Sequence, residues 1–113
     1  MIKVYGIKNC DSVKKALSFF KKHAMEYEFY DFNKESPSCE TIDTWLKKVD
    51  IDALFNARST TYRELKLKEL ALDNVAKREW LCKENRLIKR PVVQYKDTII
   101  VGFNEDNYKG VFL

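Results

Sequence analysis

The first 32 residues leave little choice of topology. Ile2-Lys3-Val4-Tyr5 is a short apolar-rich run closed by Gly6, and it reads as a buried strand. Val13, Ala16, Leu17 and Phe20 then fall at the i, i+3, i+4, i+7 spacing of one helical face. Lys14, Lys15, Ser18, Lys21 and Lys22 cover the opposite side and read as a solvated polar face. Tyr27-Glu28-Phe29-Tyr30-Asp31-Phe32 is rich in aromatics and reads as a second strand. A strand, a helix and a strand joined by loops this short form a βαβ unit, with parallel strands and a right-handed crossover.

The remaining segments extend this plan. Asn33 to Pro37 reads as a turn, with Ser36 as cap and Pro37 at the first position of a helix whose apolar face is Ile42, Trp45, Leu46 and Val49. Ile51 to Phe55 adds a further turn. Asn56 to Thr61 reads as a polar loop leading into Tyr62 to Leu65. Leu72 to Asn85 is a helix with Val75, Ala76 and Trp80 inward, and Asn85 is placed to end it in the left-handed conformation. Arg90-Pro91 breaks the pattern. Val92, Val93 and Tyr95 form a strand that turns at Lys96-Asp97 and returns through Thr98 to Val101 as a β-hairpin. Asn104-Glu105-Asp106 caps a final helix carrying Tyr108, Val111 and Phe112. The order β-α-β, helical insert, β-β-α is the thioredoxin-like arrangement. The expectation is one α/β domain over residues 1–113, with a mixed four-stranded sheet and a helical insertion at about 34–86.

Charge and cysteine count narrow the function. The net charge of +4 is spread among acidic residues, without the single basic stripe of a nucleic-acid binder. No apolar run approaches the ~20 residues of a membrane span, and Met1 to Lys8 carries no signal-peptide pattern. A cytoplasmic location is therefore expected, with neither membrane nor nucleic acid as direct partner. The three cysteines are Cys10, Cys39 and Cys82, and the one histidine is His23. An odd count argues against a disulfide framework, and the wide spacing argues against a metal site.

Cys10 is the candidate nucleophile. It stands where a strand ends, a short loop runs and a helix begins, with Asn9 or Cys10 itself as the N-cap. A helix N-terminus presents unpaired N–H groups and partial positive charge, which favour a thiolate and bind oxyanions. Val13 occupies the position where a Cys-x-x-Cys motif would carry its second thiol. Oxidised Cys10 would then be a mixed disulfide, a sulfenic acid, or a bond to a distant cysteine, with Cys39 as a candidate partner. Cys39 otherwise reads as a partly buried structural residue and Cys82 as inert packing. Arg58, in the polar loop, and Arg90, before Pro91, carry guanidinium groups that fit an oxyanion or carboxylate.

Four segments together resemble one family. Tyr5-Gly6-Ile7-Lys8-Asn9-Cys10-Asp11-Ser12-Val13-Lys14-Lys15-Ala16 resembles the N-terminal motif of the arsenate reductase-like (ArsC) family. Asn56-Ala57-Arg58-Ser59-Thr60-Thr61-Tyr62-Arg63-Glu64-Leu65 resembles its central loop, and Lys89-Arg90-Pro91-Val92-Val93 its Arg-Pro segment. Val101-Gly102-Phe103-Asn104-Glu105-Asp106 is similar to the closing segment of the branch holding YffB-type proteins and Spx regulators. The resemblance implies a thioredoxin-like fold with a helical insert and Cys10 as nucleophile. It also implies that Arg58 and Arg90 frame an oxyanion or a glutathione carboxylate, and that Pro91 is a cis-proline facing the thiol. Asn9 would orient the loop and Arg63 would support Arg58. The implied activity is that of a monothiol reductase without a bound cofactor, acting on a small oxyanion or disulfide with glutathione or a glutaredoxin. The alternative implied by the Spx branch is a module that contacts RNA polymerase. Two departures stand out. Arg90 is the last arginine, where classical arsenate reductases carry one more after this strand. Val13 stands where many Spx regulators carry a second cysteine.

Overall fold

The computed structural model describes residues 1–113. It contains two compact units: Met1–Glu35 with Arg90–Leu113, and Ser36–Lys89.

The first unit is built on a four-stranded mixed sheet in the order β2-β1-β3-β4, with β1 at Ile2–Gly6, β2 at Tyr27–Asp31, β3 at Val92–Tyr95 and β4 at Thr98–Val101. β1 pairs parallel with β2, from Ile2 opposite Tyr27 to Gly6 opposite Asp31. It pairs antiparallel with β3, Tyr5 opposite Val92, and β3 pairs antiparallel with β4. Helix α1 spans Asp11–Lys22 and a C-terminal helix spans Glu105–Phe112. This is the thioredoxin-like arrangement that the order of elements implied.

Alternation along β1 buries Ile2, Val4 and Gly6 while Lys3 and Tyr5 are half-buried. Against that face α1 turns Ala16, Phe19 and Phe20, and the C-terminal helix adds Tyr108, in one core with Val93 and Ile100. The rings interlock. Phe19 meets Tyr108 edge-to-face at 5.5 Å, and Phe20 meets Phe112 in the same way at 5.0 Å. Gly102 joins β4 to the last helix with φ +82°, a conformation that suits a residue without Cβ. Its N–H donates to the Pro91 carbonyl at 2.8 Å, and its own carbonyl accepts the Tyr108 hydroxyl at 2.7 Å.

The second unit is helical: α2 at Cys39–Leu46, α3 at Ile51–Leu54, α4 at Thr60–Glu64 and α5 at Asn74–Lys83; the C-terminal helix is therefore α6. Each of these four helices is capped by an oxygen one residue before it, from Ser38, Asp50, Ser59 and Asp73. Ile42, Trp45, Leu54, Leu67, Leu81, Leu87 and Ile88 are fully buried. Arg78 of α5 donates two hydrogen bonds to Asp43 of α2, at 2.9 and 2.7 Å, and these hold the Asp43 carboxyl below its usual range.

Three local expectations change. The cap of α2 is Ser38, whose Oγ accepts the Thr41 N–H at 3.1 Å, rather than Ser36. Ser36 instead accepts a hydrogen bond from Asn85 at 2.7 Å. Val75 is 68% exposed, because α5 faces the core with Leu81 and Val75 lies roughly 120° around the helix from it. Asn85 opens a short 3-10 turn over Asn85–Leu87 instead of ending α5 in the left-handed conformation. No helix is long and apolar enough to cross a membrane.

Burial holds the Tyr108 phenol above its ordinary value of 10.0. Above about pH 10 the unfolded chain loses that proton while the folded protein keeps it, so this contribution to stability is full below that pH and declines above it. Tyr108→Phe should flatten the alkaline decline. At neutral pH it should cost about 0.5–1.5 kcal/mol through the lost bond to Gly102. Urea unfolding at neutral pH and above pH 10 measures both effects.

Candidate active site

Cys10 is the N-cap of α1, in extended backbone geometry at φ −105° and ψ 127°. It is half-buried, is the one free cysteine, and makes no side-chain capping hydrogen bond. Its carbonyl accepts the Lys14 N–H at 2.9 Å, which begins the helix. Asn9 is exposed in the preceding loop. The sulfur therefore occupies the position where most helices place a serine or aspartate oxygen, and leaves the first-turn amides without a side-chain cap.

This placement rests on close contact at Gly6. A Cβ built there would stand 2.7 Å from Val13 Cγ2 and 3.8 Å from Arg90 Cβ. The end of β1 thus lies between the first turn of α1 and the approach to β3. Val13 is fully buried, so the position that would carry the second cysteine of a dithiol motif is committed to packing. The antiparallel pairing of Tyr5 with Val92 brings the start of β3 to the end of β1 from which the Cys10 loop departs. Arg90 and Pro91 immediately precede that start. The Arg90–Pro91 peptide is cis, as the resemblance implied, and Pro91 is buried. Asn9, Cys10, Arg90 and Pro91 thus belong to one unit and one end of its sheet.

Arg58 and Arg63 belong to the helical unit. Arg58 is exposed in the loop before α4, its N–H donating to Asn56 Oδ1 at 3.1 Å, and Arg63 is exposed on α4. Arg58 lines an open cavity of about 860 Å³ with Lys77, Lys89, Phe55 and Tyr62. Lys77 is held there by Asp52 at 2.9 Å, and Lys89 donates to the Asp52 carbonyl at 3.1 Å. These two lysines escaped the sequence reading. Lys89 was visible only as the neighbour of Arg90, and Lys77 only as one of many helix-surface lysines. Among the arginines, Arg78 pairs with Asp43 and Arg86 with Glu84. Arg58, Arg63 and Arg90 have no ion pair.

The remaining cysteines correct an expectation. Cys39 and Cys82 are joined by a disulfide within the helical unit, with Cα atoms 5.2 Å apart. Cys39 is exposed rather than partly buried, and Cys82 is paired rather than inert. The odd count left one thiol free; it did not preclude a bond between the other two. With Cys82 as its partner, Cys39 is not paired with Cys10.

Comparison with known proteins covers nearly the whole chain. The model of the ArsC family matches residues 5–111. An uncharacterized protein from Haemophilus influenzae is 36% identical over 113 residues, 99% of each chain. The global transcriptional regulator Spx 2 of Oceanobacillus iheyensis is 27% identical over 96% of this chain and 81% of its own. Among solved structures, a YFFB protein superposes with a TM-score of 0.93 at 29% identity over 100% of both chains. An arsenate reductase (ArsC) related protein from Brucella melitensis gives 0.76 at 36% identity, over 98% of this chain and 93% of that one.

Gly6→Ala should destabilise the protein by about 1–3 kcal/mol, because the added methyl meets a buried β-branched side chain with no free rotamer. Combining it with Val13→Ala should cost less than the sum of the two single changes, as urea unfolding of the three variants would show.

Proposed function

The chain belongs to the ArsC family, and from that premise we propose that it is a monothiol reductase that works with glutathione and uses Cys10 as its nucleophile. The observation that carries this reading is the free, half-buried Cys10 at the head of α1, with no side-chain cap of its own. The Cys10 thiolate attacks one sulfur of a disulfide and forms a mixed disulfide, while the other half leaves as a thiolate. A glutathione thiolate then attacks the substrate-derived sulfur and regenerates Cys10. A small oxyanion is the other substrate class; there Cys10 displaces one oxygen ligand as water to form the covalent adduct, and two glutathione thiols, oxidised together to their disulfide, supply the two electrons that release the reduced oxyanion and regenerate Cys10.

Helix N-terminal amides and the Arg90 guanidinium supply positive charge to the bound anion. For Arg58, with Arg63 in support, the same role rests on the motif from Asn56 to Leu65. Asn9 shapes the loop, and Pro91 fixes the backbone facing it. No bound cofactor is assigned. Buried Val13 supports a monothiol cycle, because no thiol follows Cys10 at the spacing that would resolve its adduct within the helix. A glutaredoxin is the protein alternative to glutathione, and a cytoplasmic setting fits this thiol chemistry.

A second reading is supported by the Spx relatives, which are transcriptional regulators. In it the chain contacts RNA polymerase without a dithiol switch. Retention of the chain by immobilised bacterial RNA polymerase, unchanged in Cys10→Ser, would favour that reading over the enzymatic one.

Incubation with oxidised glutathione should add one glutathione to the protein, mapped to Cys10 by peptide mass spectrometry, and Cys10→Ser should gain none. An adduct mapped to Cys39 or Cys82 in place of Cys10 would contradict the reading. Arg90→Ala should slow turnover of an anionic substrate by about 100-fold, with Arg90→Lys recovering only part of the loss.

A further inference from the structure

The helical unit holds two sulfurs that the chemistry assigned to Cys10 does not use. Cys39 is the first residue of α2 and is exposed, while Cys82 sits in the last turn of α5, half-buried beside fully buried Leu81. Their Cα separation of 5.2 Å lies within the range of about 4.4–6.8 Å that a disulfide needs. They are 43 residues apart in sequence, so it is the folded unit that brings them together.

The disulfide is not alone in holding these segments. Three side-chain pairs lie along one seam in antiparallel order: Ser36 with Asn85, Cys39 with Cys82, and Asp43 with Arg78. Each step forward from Ser36, just before α2, into that helix matches an equal step back from Asn85, just after α5, into that one. The sulfurs thus lie between a hydrogen bond of 2.7 Å on one side and a two-pronged ion pair at 2.9 and 2.7 Å on the other. Neither clamp depends on a sulfur–sulfur bond.

We propose that Cys39 and Cys82 form a second thiol–disulfide exchange centre, of dithiol type, that reduces low-molecular-weight disulfides. Cys39, the accessible sulfur, attacks as a thiolate on one sulfur of the substrate disulfide. That bond breaks, one substrate thiolate leaves, and Cys39 carries the other half as a mixed disulfide. Cys82, after giving up its proton to solvent, attacks Cys39 Sγ and expels the second substrate thiolate, which leaves the protein disulfide. Two protein thiols are oxidised, one substrate disulfide is reduced to two thiols, and the protons balance. The second step is intramolecular on a fixed scaffold, so it outruns a second external thiol. Two equivalents of a small thiol, taken through the reverse steps, restore the dithiol. This centre differs from Cys10 in kind, because it resolves its own adduct.

The test uses the full chain with Cys10→Ser, fully reduced, then exposed to oxidised glutathione and read by intact mass. The expected result is a loss of two hydrogens with no glutathione retained. With Cys82→Ser added, one glutathione should remain, mapped to Cys39. Far-UV circular dichroism of the reduced and oxidised forms should coincide, because the clamps persist. Stable glutathione on the chain with Cys82 intact, an adduct on Cys82, or no reaction would overturn the proposal. So would loss of helical signal on reduction, which would make the bond a structural staple. If the double variant does not fold, alkylation of the reduced Cys10→Ser chain decides the roles: Cys39 must label before Cys82.

Discussion

Everything at the candidate active site depends on how closely α1 sits on β1. Gly6 ends the strand with no side chain, and the space is taken by Val13, whose Cγ2 would be 2.7 Å from any added Cβ. That contact draws the first turn of α1 down onto the sheet and sets where Cys10, one turn earlier, must open the helix. Farther along α1, Phe19 and Phe20 lock the same helix against Tyr108 and Phe112 of α6. Cys10 is held in place by this packing rather than by a cap, since the cysteine makes no capping hydrogen bond.

The same packing decides what kind of thiol centre this end of the sheet can be. Val13 is fully buried and carries no sulfur, so the third position after Cys10 serves the core. On the proposed glutathione reading, the sulfur that resolves Cys10 comes from another molecule. The start of β3 contributes the cis Arg90–Pro91 peptide and an arginine without an ion pair. Arg78 and Arg86, by contrast, are already paired with carboxylates in the helical unit. Arg78 ties α5 to α2, Arg86 makes a local pair with Glu84, and Arg90 has no ion pair.

The helical unit achieves order by other means. Its helices are short, four to ten residues each, and segments of this length are marginal alone. Side-chain caps at every start and the seam from Ser36–Asn85 to Asp43–Arg78 tie them together around Ile42, Trp45 and Leu81.

Much of this was legible in the chain. Hydrophobic period located β1, α1, β2 and the terminal hairpin to within a residue or two, and a cysteine at a helix start and an arginine before a proline singled out Cys10, Arg90 and Pro91, because these features are local in the sequence. The boundaries within the insert were less legible. Ser36 and Ser38 are chemically equal as caps, and only in the fold does Ser38 cap α2 while Ser36 meets Asn85. The sequence by itself determined the order of elements, the thiol at a helix start and the missing second thiol after it. Only the tertiary structure decided that Gly6 must lack a side chain, that Lys77 and Lys89 share a cavity with Arg58, and that Cys39 meets Cys82. Each of those joins residues far apart in the chain or asks how near two backbones come, and periodicity along a sequence carries no information about either distance.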